Sequence, residues 1–231
     1  MDTFYSFFIF LHGHRVDISD YSIHDLAVSF FHLPLSSFHG MNNDVVLDIE
    51  TQNTFDDVGG YFTDKLKVSL VGCYFYETDT YESFLEADLP QLFARLEKSG
   101  RIIGYNSIGF DMPVLNNYYA GDLLTLPQLD ILDHVVRELG YRIKLDDVAK
   151  ATLGTQKSAH GLQAVAWWKE GKIDEIREYC LQDVKVTKEV YEFGLKNNYI
   201  LFDTKRGERQ AVSVDFAPQT ISPAVNFTLG F

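Results

Sequence analysis

The run Val45-Val46-Leu47, followed at once by Asp48-Ile49-Glu50, constrains this chain more than any other segment. A short apolar run bounded by polar residues reads as a buried central strand. Side chains alternate between the faces of a strand, so Asp48 and Glu50 project from one face. Two carboxylates held side by side in a core lose hydration and repel each other, a cost that a bound cation offsets. The pair is therefore a candidate site for a hard metal ion. If the strand instead ends at Leu47, both acids are solvated and the segment holds no site.

The 231 residues suffice for one large domain, or one domain with extensions, and for a substantial core. With 46% apolar, 14% aromatic and 23% charged residues, the chain fits neither a disordered polyelectrolyte nor a disulfide-stapled mini-protein. Lys and Arg number 20 against 33 Asp and Glu, a net charge of −13. That balance argues against a protein that holds nucleic acid chiefly by neutralising many phosphates. The excess is uneven: residues 41–136 hold 5 basic and 16 acidic side chains, whereas residues 137–177 hold 8 and 6. A polyanion is expected to approach the second stretch. Cys73 and Cys180 are too few for a disulfide framework and read as buried thiols of a reducing compartment. No window reaches the roughly 18 apolar residues of a membrane-spanning helix, and Asp2 stands where a secretory signal carries positive charge. The expectation is a cytoplasmic protein with no membrane partner.

Residues 1–43 carry five of the seven histidines and no sustained helical or strand period, and read as an N-terminal extension. His12 and His14 could hold a metal there, although histidine pairs in irregular segments are more often solvated. From Asp44 the pattern becomes regular. Strands are expected over 45–50, 67–77, 80–85 and 101–105, with another near 129–132 that runs into a helix through 139. Further helices are expected over 88–98, closed by Gly100, and over 110–119, with Pro113 in its first turn. Residues 145–153, 161–169 and 173–196 complete the helical set, and 203–215 can form a hairpin about Arg206-Gly207. Strands first, then alternating helices and strands, give an α/β class: a mixed β-sheet flanked by α-helices. One domain over 43–203 suffices, followed by a C-terminal hairpin and tail over 204–231.

Three more acids join the candidate set. Asp111 follows Phe110 at the start of a helix, five residues after Asn106; alone, it reads as easily as a partner for the helix dipole. In the longest helix, Tyr179 and Asp183 are four positions apart and share one face. Their neighbours Ile176, Cys180 and Val184 place that face against the core, where a phenol and a carboxylate need partners. Asp130 follows an apolar run; it is an extra acid near the site or, more simply, a turn or cap residue.

At these residues the chain resembles the DEDD superfamily of 3′-5′ exonucleases, in its tyrosine-bearing DEDDy branch, with the ribonuclease H-like fold. Asp48-Ile49-Glu50-Thr51 matches the first motif, Asn106 through Phe110-Asp111 the second, and Tyr179 through Asp183 the third, in that order. The stretch from Glu178 to Phe193, and Lys144 through Ala149 followed by Leu153-Gly154, look most like the proofreading domain of family B DNA polymerases and its free-standing bacterial relatives. The likeness covers about residues 43–196 and leaves the extension and tail unexplained.

The resemblance implies a two-metal-ion mechanism with Mg²⁺ or Mn²⁺, acting at the 3′ ends of single-stranded nucleic acid and releasing nucleoside 5′-monophosphates. Asp48, Glu50, Asp111 and Asp183 would be the metal ligands, with Asp48 bridging both ions and Asp111 acting mostly through water. Tyr179 would orient the attacking water. Asn106 would contact the terminal nucleotide, beside Thr51 of the first motif, and Phe110 would be either a base contact or a core residue. From charge, Lys144, Lys150, Lys157 and His160 could touch substrate phosphates, Lys144 and Lys157 foremost; a solvated face is the plainer reading. Trp167-Trp168 could stack a base, although one of them is expected in the core. Single-stranded DNA is favoured over RNA, which the motifs do not exclude because discrimination rests on contacts to the 2′-hydroxyl. Competing readings are a catalytically silent module that binds nucleic acid or protein, and a metal phosphoesterase for small nucleotides.

Overall fold

Residues 45–51 form one continuous strand in the computed structural model, which describes residues 8–11, 14–17, 43–154 and 162–218. The strand does not end at Leu47, and both Asp48 and Glu50 lie within it. The chain divides into two compact units, residues 1–39 and 40–231. In the first, β1 (Phe8–Leu11) and β2 (His14–Asp17) pair antiparallel, a regularity that the sequence pattern does not announce. His12 lies outside the described residues, and so does the metal pair drawn on it.

The second unit holds β3 (Val45–Thr51), β4 (Val68–Phe75), β5 (Thr80–Leu85), β6 (Ile102–Gly104) and β7 (Gln128–Asp130). They form a five-stranded mixed sheet in the order β5-β4-β3-β6-β7. The first three make the expected antiparallel meander, and β3-β6-β7 run parallel. Helices α1 (Leu89–Leu96) and α2 (Asp111–Asn116) cover one face, where Leu92, Phe93 and Met112 pack on Val45, Leu47 and Ile49. The other face carries α3 (Ile131–Leu139), α4 (Leu145–Leu153), α5 (Leu162–Glu170) and α6 (Ile173–Asn197), then a hairpin of β8 (Tyr199–Asp203) and β9 (Arg209–Ser213). There Val46 and Ile103 meet Val148, Val184, Tyr191 and Ile200. Both faces of the sheet are covered, so β4 is buried along its whole length and, apart from Ser69, largely apolar. Among the described residues, no helix is long and apolar enough to cross a membrane.

Two boundaries differ from the pattern. Helix α2 stops at Asn116 because the next residues close three-residue turns, Tyr118 N–H to Leu115 O and Tyr119 N–H to Asn116 O, while the Asn116 side chain accepts from Leu123 N–H. The hairpin starts at Tyr199 rather than 203. Asn198 adopts a left-handed conformation, φ 61°, that ends α6 and turns the chain at once into a strand whose Ile200 and Phe202 are buried.

The placement of α6 rests on one missing side chain. Gly72 faces Asp48 across the β3–β4 register, and a Cβ built on it would lie 2.8 Å from Cys180 Sγ and 3.1 Å from Val184 Cγ2. Glycine in a strand often marks such a close approach. At the far end of the helix, the Tyr191 hydroxyl accepts from Arg101 Nη2 at 2.6 Å, and the same guanidinium holds the buried Asp44 at 2.9 and 3.1 Å. Along the same helix, Ile176, Val184 and Val190 are fully buried, each contributing roughly 1.5–3 kcal/mol of apolar burial. Gly72→Ala is expected to lower unfolding stability by about 1–3 kcal/mol, the usual cost of inserting carbon into a packed interface. Urea denaturation reads the loss, and adding Cys180→Ala should recover part of it. An unchanged midpoint in the single variant would show that α6 does not press on β4.

Candidate metal centre

The even-numbered face of β3 continues from Val46 through Asp48 to Glu50 and lies under α6, which brings Tyr179 and Asp183 to it on successive turns. Asp48, Glu50 and Asp183 each offer a carboxylate oxygen within 4.8 Å of the other two. Glu50 is 8% and Asp183 7% exposed, while Asp48 is half-buried. Strand and helix, rather than loops, thus hold the three acids together.

The electrostatic consequence appears at Cys180. Burial pushes its thiol well above the ordinary range, and the charges of Asp48, Glu50 and Asp183 push it further the same way. It stays protonated and donates to Asp48, 3.4 Å to the backbone oxygen and 3.6 Å to Oδ2. Three hard oxygen donors converging in a partly buried site are a set suited to Mg²⁺ or Mn²⁺, and ill suited to a soft metal that prefers thiolate.

Asp111 is not one of that mutually close set of three. Strand β3 runs on to Thr51 beyond Val46, its last residue paired with β6, and Asp111 Oδ1 accepts from the Ile49 N–H at 3.1 Å. The carboxylate therefore sits against the strand between the two first-motif acids. Burial pushes its carboxyl up to about 7 and the charge of Asp130 adds to the rise, while hydrogen bonds from its own N–H and that of Ile49 oppose it.

A cleft of about 460 Å³ opens beside the acids, lined by Glu50, Thr51, Phe110, Tyr179 and Asp183 among others. Tyr179 is 6% exposed, and its ring meets Trp167 edge-on at 6.0 Å. Both Trp167 and Trp168 are half-buried against Leu70, Ile176 and Cys180, which gives them a core role. Phe110 does double duty: it packs on the core and faces the cleft, edge-on to Phe55 at 5.8 Å. Thr51 Oγ1 donates to Asn53 O at 2.8 Å.

Asn106 stands elsewhere. It is left-handed, φ 68°, and lines a second hollow that also contains Lys144. Its N–H donates to Asp130 Oδ1 at 2.7 Å, and its Oδ1 accepts from Arg142 Nη2 at 2.7 Å. Asp130 is the cap expected of it, accepting also from the N–H groups of Ile108, Leu132 and Asp133. Lys157 and His160 lie outside the described residues. Sequence reasoning missed Gly72, Arg142 and the stacked pair Phe55–Tyr61, whose rings are 4.3 Å apart, and read Cys180 as a buried core thiol without its bond to Asp48. Only Gly72, a lone glycine in a β-branched run, left a readable signal.

A family model described as the RNase_H superfamily matches residues 45–193. No curated protein matches the sequence. Among solved structures, the family B DNA polymerase from the hyperthermophilic archaeon Pyrobaculum calidifontis is similar, with a TM-score of 0.52 and 19% identity. The alignment covers 66% of this chain and 24% of that one, so the protein spans about a quarter of the polymerase, and the likeness is one of fold.

The Asp111 environment predicts a pH dependence in metal-free protein. The folded carboxyl keeps its proton from about 3.8 to about 7, where the unfolded one has lost it. The folded state then binds more protons, so this group's contribution to stability falls as pH rises through that window and levels above it. In chelator, the unfolding free energy of Asp111→Asn minus that of the wild type should increase across the same range. Parallel curves for the two proteins would sink this assignment.

Proposed function

The chain belongs to the RNase_H superfamily, and from that premise we propose that it is a metal-dependent 3′-5′ exonuclease. Its substrate is single-stranded nucleic acid, DNA in preference to RNA, and its products are nucleoside 5′-monophosphates. The supporting observation is the convergence of Asp48, Glu50 and Asp183 within 4.8 Å, with Tyr179 on the wall of the same cleft. In this reading Asp48, Glu50 and Asp183 hold the cations, and Asp111 joins from its place against Ile49, mostly through water. A pair of Mg²⁺ or Mn²⁺ ions, when bound, lowers the pKa of the attacking water and neutralises charge on the attacking and leaving oxygens.

The remaining chemistry falls to side chains of the cleft. A phenol is a poor base at neutral pH, so Tyr179 orients the attacking water by hydrogen bonding rather than by taking its proton. Its contact with Trp167 and its near-complete burial restrict the ring to one direction. Thr51 and Phe110 border the space for the terminal nucleotide. Lys144 serves as a phosphate contact from a second hollow, whose wall also carries Asn106, the contact assigned to the terminal nucleotide; Lys157 is assigned to phosphate by charge alone.

Incubation of purified protein with 3′- and 5′-labelled single-stranded DNA and RNA, in Mg²⁺, Mn²⁺ or chelator, tests the reading. The 5′-labelled strands should shorten stepwise from the 3′ end in either metal and remain intact in chelator. Asp48→Ala and Asp183→Ala should lose roughly 10³-fold in rate, the scale of removing a group that stabilises transition-state charge, and Tyr179→Phe about 10-fold. Wild-type protein inert in both metals, or Asp48→Ala retaining full turnover, would overturn the assignment. Binding without cleavage would instead mark a silent nucleic-acid module, and hydrolysis confined to dinucleotides a small-substrate phosphoesterase.

A further inference from the structure

The carboxyl edge of the sheet carries a feature that the acids do not explain. Strands β3, β6 and β7 are parallel neighbours, so their carboxyl ends lie side by side. Asp48 and Glu50 occupy the first, Asn106 follows the second and Asp130 ends the third. Past β7, helix α3 stops at Gly140, whose φ of 78° turns the chain into the segment 141–144. That segment places Arg142 and Lys144 beside Tyr105 and Asn106 in a hollow of about 480 Å³. Arg142 and Lys144 also line an adjoining hollow of about 600 Å³, which holds Tyr141 and ends at Lys205 beyond β8.

The chemistry of this double hollow differs from that of its surroundings. Arg142, Lys144 and Lys205 are exposed, and the Tyr141 ring is 52% exposed, in a chain of net charge −13. Three acids share the region. Asp146 and Asp147 stand in the first turn of α4, where they complement the helix dipole. Asp203 is bound by Arg209 at 2.9 and 3.2 Å. The Arg142 bond to Asn106 ties the basic segment to the second-motif turn.

We propose that this groove holds the single strand upstream of the nucleotide being removed, Arg142, Lys144 and Lys205 contacting successive phosphates and Tyr141 stacking on a base. The inference rests on the exonuclease reading and adds to it a path for the polymer. Cations spaced along a groove, with an aromatic face between them, suit a single-stranded polynucleotide of any sequence, because phosphates repeat regularly and every base presents a π-face. The groove sits at the same sheet edge as the acids, so a strand with its 3′ end at Asp48 and Glu50 crosses Asn106 before reaching it. Affinity should then depend on strand length.

Fluorescence anisotropy with labelled oligothymidylates of 3, 6 and 12 nucleotides, in chelator to prevent cleavage, tests the path. Wild-type protein should hold the 12-mer at least ten-fold tighter than the 3-mer. The triple variant Arg142→Ala, Lys144→Ala, Lys205→Ala should lose roughly ten-fold on the 12-mer and less than three-fold on the 3-mer. Its slope of log affinity against log salt should fall by about 2, the value for three phosphate contacts on a single strand. Tyr141→Ala should weaken the 12-mer with little change in that slope. A control lacking three exposed cations elsewhere, Lys98, Lys185 and Lys196, should stay within two-fold of wild type. Wild-type cleavage and binding that the groove variants leave untouched, or a control that falls as far as they do, would overturn the path alone. No cleavage and no binding by the wild type would overturn the exonuclease reading, and the path with it.

Discussion

The separation between α6 and the β3–β4 pair decides whether Asp48 and Glu50 share a pocket with Tyr179 and Asp183. Two contacts set it. Near the acids, the helix presses on Gly72, where a Cβ would be 2.8 Å from Cys180 Sγ. Far from them, Arg101 links Asp44, the Tyr191 hydroxyl and the Phe216 carbonyl, tying sheet, helix and C-terminal segment at one guanidinium. Asp44 is 1% exposed, and removing its partner would leave a buried charge uncompensated, a loss of about 3–5 kcal/mol in comparable cases. A helix held at these two points resists the tilt that would relieve repulsion among the acids it helps to assemble.

That repulsion is the cost at which the site is built. Without a cation, Asp48, Glu50 and Asp183 stand within 4.8 Å of one another, and burial raises the price of each like charge. The fold moderates the problem locally. The Cys180 thiol donates to Asp48, and Asp111 satisfies the Ile49 N–H on an edge that β6 no longer covers. Cation binding by such a site is coupled to stability, because the ion relieves interactions that the unfolded chain does not suffer.

The elements that carry local signals were readable in the sequence: the apolar run of β3, the meander of β4 and β5, the helix 145–153 and the long α6. Alternation on a strand put Asp48 and Glu50 on one face, and four-residue spacing on a helix put Tyr179 with Asp183; that these two faces meet was carried by the family resemblance alone. What stayed hidden depends on contacts between distant segments. Nothing local distinguishes Asp111, placed against a strand, from Asp183, placed among the acids. Arg142 gains its meaning only when a loop after β7 folds back to Asn106. The stacking of Phe55 on Tyr61 lies in a segment with no period at all.

Net charge and the local arrangement of charges describe different things. A charge of −13 describes the potential far from the molecule, whereas a strand lying on the surface feels side chains within about a Debye length, roughly 8–10 Å at ordinary salt. Asp130 governs the arrangement at that scale. Its carboxylate gathers the N–H groups of Asn106 and Ile108 from the turn after β6, and those of Leu132 and Asp133 from the start of α3. One buried acid thereby sets both the second-motif turn and the helix whose end releases Tyr141 and Arg142 onto the sheet edge. In the proposed reading, acids concentrated where cations bind and bases placed along the path of the strand would let an acidic chain handle an acidic polymer.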